Sequence, residues 1–404
     1  MDGREPIDYA ARVVADRYLA RGVSAAKPDV HSAIASLDPG VFPGAFCKIV
    51  ADAAGDERYA SVMHADGAGT KAAVAYIAYK EADRPEVFEG IAQDAAVMNI
   101  DDLLCVGVTD RFLLSNTIGR NAHRVDGRVL EALIRGYERL AADLRPFDIT
   151  LALAGGETAD VGDLVATIVV DSTVFARIRR DAVVDATRIR AGDVIVGLAS
   201  SGRAAYERED NSGIGANGLT LARHVLLHGE YATRFPETYS PTMSADVVYR
   251  GRFRLDDRVP GTTMTVGSAL LSPTRTFAPV VRQVLDRHRD AVSGIIHCSG
   301  GGQTKCLRFG RGLHFVKDRL LPIPPIFRTI MDEGRVPKRE MFEVFNMGHR
   351  LEIFCRPAVA DAMAGIARGL GIEARIVGEV RANDAADSNR LTIVDGKDQL
   401  TYAT

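Results

Sequence analysis

The sequence has few cysteines, no long apolar run and almost no excess of charge. Its five cysteines are odd in number and include no C-x-x-C pair, which favours reduced thiols over a disulfide framework or a zinc site. No stretch approaches the roughly 20 apolar residues that span a bilayer, and the charged N-terminus lacks the apolar segment of a secretory signal. The formal net charge is −3, without a long Lys/Arg run, so nucleic-acid binding is not expected. We therefore expect a cytoplasmic protein.

The chain of 404 residues exceeds what one hydrophobic core usually organises. Its composition, 47% hydrophobic and 25% charged, is typical of globular proteins. A charged interval at 178–192 precedes a new apolar strand, so we predict two domains, 1–182 and 183–404.

Strand and helix patterns alternate along the chain, which indicates an α/β or α+β protein. Strands are predicted at 58–65, 111–118, 149–154, 164–174, 193–199, 351–355 and 374–380, and helices at 86–105, 126–144, 218–228 and 277–288. A turn is predicted at Gly155-Gly156. Segment 229–266, rich in Tyr, Arg and Pro, has little period and is interpreted as a surface insertion with an oligomer contact, or as an active-site flap.

The segment Asp66-Gly67-Ala68-Gly69-Thr70-Lys71 follows a predicted strand. Its glycines let backbone N–H groups face an anion, and Lys71 adds a point charge suited to a phosphate. The spacing fits neither a Walker A loop nor a Rossmann fingerprint, and an ordinary turn remains the alternative.

Three carboxylates, Asp94, Asp101 and Asp102, lie within nine residues of one predicted helix. Asp94 and Asp101 share a helix face because they are two turns apart. Burying such a group requires a cation, for which Mg²⁺ is a candidate. A solvated helix face is the alternative.

Three further glycine-rich segments could approach an anion closely. They are Gly155-Gly156-Glu157 after a predicted strand, 213–218 before a predicted helix, and His297 with the triple glycine that follows it. A hairpin with exposed acids would explain the first segment equally well, and a lone histidine at a strand end is more often a structural residue than a catalyst.

The order of these motifs is more specific than any one of them. D-G-x-G-T-K, D-x-x-x-M-x-x-x-D-L, G-G-E-T-A, G-L-A-S-S-G and N-G-x-x-x-x-R resemble, in this order, the aminoimidazole ribonucleotide synthetase superfamily. Ser272–Arg275, His297–Gly302 and Phe345–Gly348 are similar to the phosphoribosylformylglycinamidine cyclo-ligase family within it.

The resemblance implies a two-domain α/β (α+β) subunit. The N-terminal domain would form a β-barrel shared with a second copy, as a homodimer, and the C-terminal domain would be an α/β sandwich. ATP, Mg²⁺ and formylglycinamidine ribonucleotide would meet in the cleft between the domains. The product would be aminoimidazole ribonucleotide, formed by phosphorylation of the amide oxygen and attack of the ring-closing nitrogen.

Site residues follow from the same resemblance. The implied metal ligands are Asp66, Asp94, Asp102 and Glu157. The implied nucleotide-binding residues are Asp66, Gly67, Gly69, Thr70, Lys71, Gly155, Gly156, Glu157 and Asn217, and the implied catalytic residues are Lys71, Asp94 and His297. Asp66→Asn or Lys71→Ala is expected to abolish turnover while the fold is retained.

The chain departs from the family pattern in the second domain. Residues 203–214 are inserted, and Gly215 stands where the family has a histidine, with His224 a weak substitute. Asp101 replaces a more usual asparagine. A paralogue that phosphorylates another small molecule, or a relative that binds ATP without turnover, is the alternative function.

Overall fold

The computed structural model describes residues 17–24, 28–34 and 36–404, which build two β-sheets. The strands are β1 (Ile49–Ala51), β2 (Tyr59–Gly67), β3 (Arg111–Arg120), β4 (Thr150–Asp160), β5 (Ile168–Arg179), β6 (Val194–Ala199), β7 (Val292–His297), β8 (Leu313–Lys317), β9 (His349–Cys355), β10 (Ala374–Ala382), β11 (Arg390–Asp395) and β12 (Asp398–Ala403). The first sheet has the order β1-β2-β5-β3-β4, and the second has β12-β11-β8-β10-β6-β9-β7. The predicted boundary between residues 182 and 183 lies between the two sheets.

Helices surround both sheets. They are α1 (Pro28–Ile34), α2 (Lys71–Ala82), α3 (Phe88–Leu104), α4 (Gly127–Leu144), α5 (Leu219–Leu226), α6 (Glu230–Arg234), α7 (Val266–Leu271), α8 (Ala278–His288), α9 (Pro325–Gly334), α10 (Lys338–Val344) and α11 (Pro357–Gly369). Short 3₁₀ turns occupy Leu19–Arg21, Pro85–Val87, Arg145–Phe147, Arg180–Ala182, Ala186–Arg188, Pro236–Thr238, Ala245–Val247, Arg289–Ala291 and Gly302–Arg308. Within the described residues, no helix has the length and apolar character needed to cross a membrane.

Most predicted elements are confirmed. Helix α4 begins where the pattern placed it, because the Asp126 carboxylate accepts a hydrogen bond from the Arg128 backbone N–H and caps the first turn. Its apolar stripe packs on the first sheet while its charged face meets solvent.

The predicted turn at Gly155-Gly156 is wrong, because β4 runs straight through it. Strand β4 pairs in parallel with β3, and the register shifts between Leu114 and Asn116 so that pairing resumes at Gly156. A Cβ on Gly156 would overlap the Asn116 backbone oxygen. The glycines therefore permit a close approach of two strands rather than a reversal of the chain.

Helix α3 joins the two domains. It packs on β2 and β5 of the first sheet, and it also contacts β7 and α8 of the second domain. Nearly all of its residues are buried, including all three acids of the predicted cluster, so the alternative of a solvated helix face is wrong.

Segment 229–266 packs its aromatic side chains inward. Tyr231 and Tyr249 have no exposed surface, and Phe235 and Phe253 are also buried, against α5 and its neighbours. These residues are core residues of the second domain, which the irregular sequence pattern did not reveal. The oligomer contact stays a prediction.

Candidate active site

The glycine loop connects the end of β2 to the start of α2 at the border of the two domains. Gly69 has φ +55°, a backbone conformation that favours glycine. Thr70 Oγ1 lies 2.8 Å from Oγ1 of Thr220 on α5. The loop is thus held against the second domain by a hydroxyl pair.

Lys71 is completely buried below this loop. Its Nζ donates to Asp94 Oδ1 at 2.8 Å, to the Ser272 carbonyl at 2.5 Å and to the Gly215 carbonyl at 3.2 Å. Burial lowers the pKa of Lys71 and raises that of Asp94, and their ion pair opposes both changes. In this arrangement all three N–H donors of Lys71 have acceptors within the protein, so none faces a phosphate.

Asp94 also accepts hydrogen bonds from the second domain. Its Oδ1 accepts from the Thr274 backbone N–H at 2.8 Å and from the Thr274 hydroxyl at 2.5 Å. Its Oδ2 is buried and has no hydrogen-bond partner among the described residues. Asp94 therefore keeps one spare acceptor oxygen in the interior.

Asp101 repeats this arrangement two turns along α3. One oxygen accepts from the Thr276 hydroxyl at 2.8 Å and the Phe277 backbone N–H at 3.2 Å, and the other accepts from Arg350 Nη2 at 3.1 Å. The Arg350 guanidinium also donates to the Arg275 carbonyl. The extra negative charge that distinguishes this sequence is thus balanced by a protein cation.

Asp102 lies between two histidines. Its Oδ1 is 2.6 Å from His297 Nδ1, and its Oδ2 is 3.2 Å from His64 Nε2. Burial would raise the pKa of Asp102, but the hydrogen bond from His297 and the positive charges nearby hold it below its ordinary value. His64 Nδ1 lies 2.9 Å from Asn99 Oδ1, so the network extends back to the first sheet.

His297 uses both ring nitrogens inside this network. Arg350 Nη1 lies 3.1 Å from His297 Nε2, and a guanidinium can only donate. His297 Nε2 is therefore the acceptor, and Nδ1 carries the proton donated to Asp102. With no exposed surface, the imidazole has no nitrogen directed at the cleft, and its predicted catalytic role stays a prediction.

The four implied metal ligands do not come together within one chain. Among the described residues, no three His, Cys, Asp or Glu side chains are grouped so as to hold a metal ion. Glu157 is exposed on β4, in a row across the sheet with Thr117, Asp171 and Gly67. Three strand spacings, about 14 Å, separate it from the glycine loop. Gly155 and Gly156 share this remote position.

Asp66 has a different acidic neighbour. Among the described residues, its carboxylate accepts a hydrogen bond only from the N–H of Gly67. Asp171 lies across the ladder from Gly67, the residue after Asp66, and directs its carboxylate into the space that a side chain on Gly67 would fill. Poor solvation raises the pKa of each acid, and the charge of Asp66 raises that of Asp171 further.

The other predicted glycine segments do meet. Asn217 Nδ2 lies close to Gly300, so the loop before α5 faces the triple-glycine segment after β7. Gly218, with φ +77°, then begins α5. Backbone N–H groups of two glycine-rich turns thus lie at one end of the cleft.

Sequence reasoning missed three residues of this network. His64 and Asp171 belong to strand patterns without a motif, and Arg350 is the second residue after the Phe-Asn-Met-Gly segment. The sequence did contain one signal for Arg350: a buried Asp101 needs a nearby cation to balance its charge.

Two family models match the chain, one in each half. The family model "AIR synthase related protein, N-terminal domain" matches residues 45–178, and "AIR synthase related protein, C-terminal domain" matches residues 190–388. The chain belongs to the AIR synthase related family. These two matches cover most of the residues that form the two sheets.

Relatives in the family cover both domains. A protein of Symbiobacterium thermophilum named phosphoribosylformylglycinamidine cyclo-ligase is 32% identical over 338 residues, 80% of this chain and 79% of its own. The protein of the same name from Methanocaldococcus jannaschii is 28% identical over 346 residues, 85% of this chain and 84% of its own.

Solved structures support the two-domain AIR synthase fold. Thermotoga maritima PurL complexed with FGAR matches the whole chain with a TM-score of 0.54 and 15% identity. The chain spans about half, 53%, of that PurL chain. HypE in a HypE–HypF complex matches 94% of this chain and 99% of its own, with a TM-score of 0.53 and 12% identity.

Proposed function

We propose that the protein is an ATP-dependent C–N ligase that closes the ring of formylglycinamidine ribonucleotide to give aminoimidazole ribonucleotide, ADP and phosphate, in purine biosynthesis. The observation that carries this proposal is the similarity to relatives named for this activity, which extends over about four fifths of both chains. The same similarity disfavours phosphorylation of another small molecule. A cytoplasmic location stays a prediction.

The reactants would bind between the glycine loop and the turns of the second domain, the region here called the cleft. The backbone N–H group of Gly69, with the exposed Thr70, borders one side, and Asn217 with Gly300 borders the other. Such groups suit phosphate oxygens because they donate hydrogen bonds without adding a mobile side chain.

The chemistry would depend on positioning and electrostatics rather than on a protein nucleophile. The substrate amide oxygen receives the γ-phosphoryl group of ATP as the bond to the β-phosphate breaks and ADP leaves. The ring-closing nitrogen attacks the carbon of that amide, and the C–O bond then breaks as phosphate and a proton leave. Lys71 and Asp94 act from below the loop: their ion pair fixes the start of α2 against Ser272 and Thr274.

The residues that fit Mg²⁺ are Asp66 and Asp171. Mg²⁺ needs only one or two carboxylates when nucleotide phosphates and waters complete its shell. Asp66 lies opposite Ser172 and Asp171 lies opposite Gly67, so the two acids occupy neighbouring positions of the β2–β5 ladder, close enough for the charge of Asp66 to raise the pKa of Asp171. Neither acid forms an ion pair among the described residues. Bound there, Mg²⁺ would supply positive charge for the phosphoryl group. Asp94 and Asp102 fit less well because protein donors already bind them.

A homodimer would cover the outer face of the first sheet, forming the shared barrel. One row across this face is apolar and consists of Met63, Phe175, Leu113 and Ala152. Met63 is 67% exposed and Leu113 is 41% exposed. An exposed apolar sheet face with an unpaired edge strand, β4, is typical of a surface that another sheet covers.

The test is an assay of the purified protein with formylglycinamidine ribonucleotide, ATP and Mg²⁺ that follows ADP and aminoimidazole ribonucleotide together. Equal amounts of both products are expected. ADP formation without the ring-closed product, or no turnover by a folded protein that binds ATP, would refute the proposal. Omission of the ribonucleotide controls for idle ATP hydrolysis.

A further inference from the structure

A second cluster of buried polar groups lies where the turn Leu19–Arg21, helix α5 and the 229–266 segment meet. Its basic members are Arg21, Arg223 and His224, which are 7%, 3% and 0% exposed. None of the contacts described for the cleft involves them. All three are buried, yet each keeps a hydrogen-bonding nitrogen without a partner among the described residues.

Arg223 has few interactions that offset its buried positive charge. Its Nη1 donates to the Tyr249 hydroxyl at 2.5 Å, and its guanidinium carbon lies 5.4 Å from the centre of the Tyr249 ring. Its Nε makes no hydrogen bond, and no carboxylate of the described residues forms an ion pair with it. A guanidinium remains charged inside a protein, so this positive charge is buried with no counter-ion in the part of the chain that the structure describes.

His224 adds a donor beside it. Its Nδ1 accepts the backbone N–H of Tyr249 at 3.2 Å, so the ring proton is on Nε2. That Nε2 has no acceptor. Tyr249 has a φ of 41°, an uncommon backbone conformation for a tyrosine, and it holds both side chains in place.

Arg21 provides the third donor. Its Nη1 binds the Arg17 carbonyl at 2.6 Å, but its Nε is buried without an acceptor. Burial and the charges of Arg17 and Arg223 lower the pKa of Arg21, and the charge of Glu340 only partly offsets them. The cluster therefore has an excess of positive charge and three N–H donors in need of acceptors.

We propose that Arg21, Arg223 and His224 form a binding site for a phosphate-type oxyanion. A tetrahedral oxyanion offers several acceptor oxygens at once and suits the Nε edge of an arginine, which binds such groups in a bidentate manner. Water could satisfy individual N–H groups but would leave the buried charge unbalanced. The site stands independently of the ring-closing activity proposed above.

The experiment is a titration of the full chain with inorganic phosphate, against chloride at equal ionic strength, followed by thermal unfolding and isothermal calorimetry. Wild type is expected to gain thermal stability with phosphate but not with chloride. Arg223→Met is expected to raise the phosphate Kd at least tenfold. Arg252→Met, an exposed arginine of the same segment, is the matched control and should bind phosphate as wild type does.

Two further variants test whether phosphate binds elsewhere and replace Arg223→Met if that protein does not fold. Thr70→Ala reports on phosphate bound in the cleft instead: weakened binding in this variant, with normal binding in Arg223→Met, would overturn the proposal. If Arg223→Met does not fold, Arg21→Met is titrated in its place and should show the same loss. Equal stabilisation of wild type by phosphate and chloride would also refute the site.

The same titration distinguishes a free anion from a phosphorylated metabolite. Ribose 5-phosphate that competes with phosphate at the Arg223 site would assign it to phosphate monoesters. Failure to compete, with phosphate binding retained, would assign it to the inorganic ion. Both results support the oxyanion site.

Discussion

Lys71 Nζ lies 2.8 Å from Asp94 Oδ1, and neither side chain has any exposed surface. This pair changes the expectation drawn from sequence, in which Lys71 met a phosphate and could be replaced without loss of the fold. Removing one partner of a buried pair leaves the other charge uncompensated.

We therefore predict that Lys71→Met lowers the free energy of unfolding by about 3–5 kcal/mol, with activity lost in proportion to folded protein. Urea unfolding measures the change. Lys80→Met, at an exposed position of the same helix, is the control and should remain near wild type. A fully stable but inactive Lys71→Met protein would show instead that the lysine acts on the substrate.

Asp66→Asn is expected to retain the fold and lose turnover, because the proposed magnesium site would keep only Asp171. The Mg²⁺ concentration for half-maximal activity should rise by about tenfold or more. Activity measured as a function of Mg²⁺ checks this, with Asp163→Asn, an exposed acid in the β4–β5 connection, as control. An unchanged Mg²⁺ requirement would exclude Asp66 as a ligand.

Leu113→Glu should convert the proposed dimer into a monomer, because it places a charge in the apolar row on the outer sheet face. Sedimentation velocity distinguishes the two states. Leu164→Glu, at a position 86% exposed beyond the end of β4, is the matched control and should leave the oligomeric state unchanged. A monomeric wild type, or a dimeric Leu113→Glu protein, would refute the predicted interface.

His224 should make the stability depend on pH. Burial, Arg223 and Arg21 lower its pKa to about 2, whereas the unfolded chain binds this proton near pH 6.5. The contribution of the neutral His224 to the free energy of unfolding is therefore complete above pH about 6.5. Below that pH it is lost by at most about 1.4 kcal/mol per pH unit.

Replacing the histidine should remove this part of the pH dependence. The difference in unfolding free energy between pH 7.5 and pH 5.5 is expected to be smaller in His224→Phe than in wild type by about 1–2 kcal/mol. His228→Phe, at the exposed position four residues on, is the control. Identical pH profiles for wild type and His224→Phe would contradict the prediction.

Sequence patterns predicted the elements whose stability is local. Helix α4 has a clear apolar stripe and a capping aspartate, and both are sufficient to place it. The course of β4 was mispredicted because Gly155 and Gly156 are typical of turns. Gly156 instead approaches Asn116 closely, and Gly155 has a φ of 94°; the first of these features depends on a strand 40 residues earlier in the chain.

The candidate site was located by its motifs but not explained by them. The glycine loop and the acids of α3 were found in the sequence, yet the partners of these acids are distant in sequence. Asp94 binds Thr274, 180 residues away, and Asp101 binds Arg350, 249 residues away. No spacing rule connects such pairs, so three acids that suggested a metal ion proved to be bound largely by protein donors.

These long separations also affect how the chain is made. At roughly 5–20 residues per second, a ribosome that has finished α3 needs roughly 10–40 s more to synthesise Thr274. During that interval the acids of α3 have none of their partners in the second domain, and charged groups without partners resist burial. The N-terminal half of the nascent chain is therefore expected to complete its packing only after the C-terminal half has emerged.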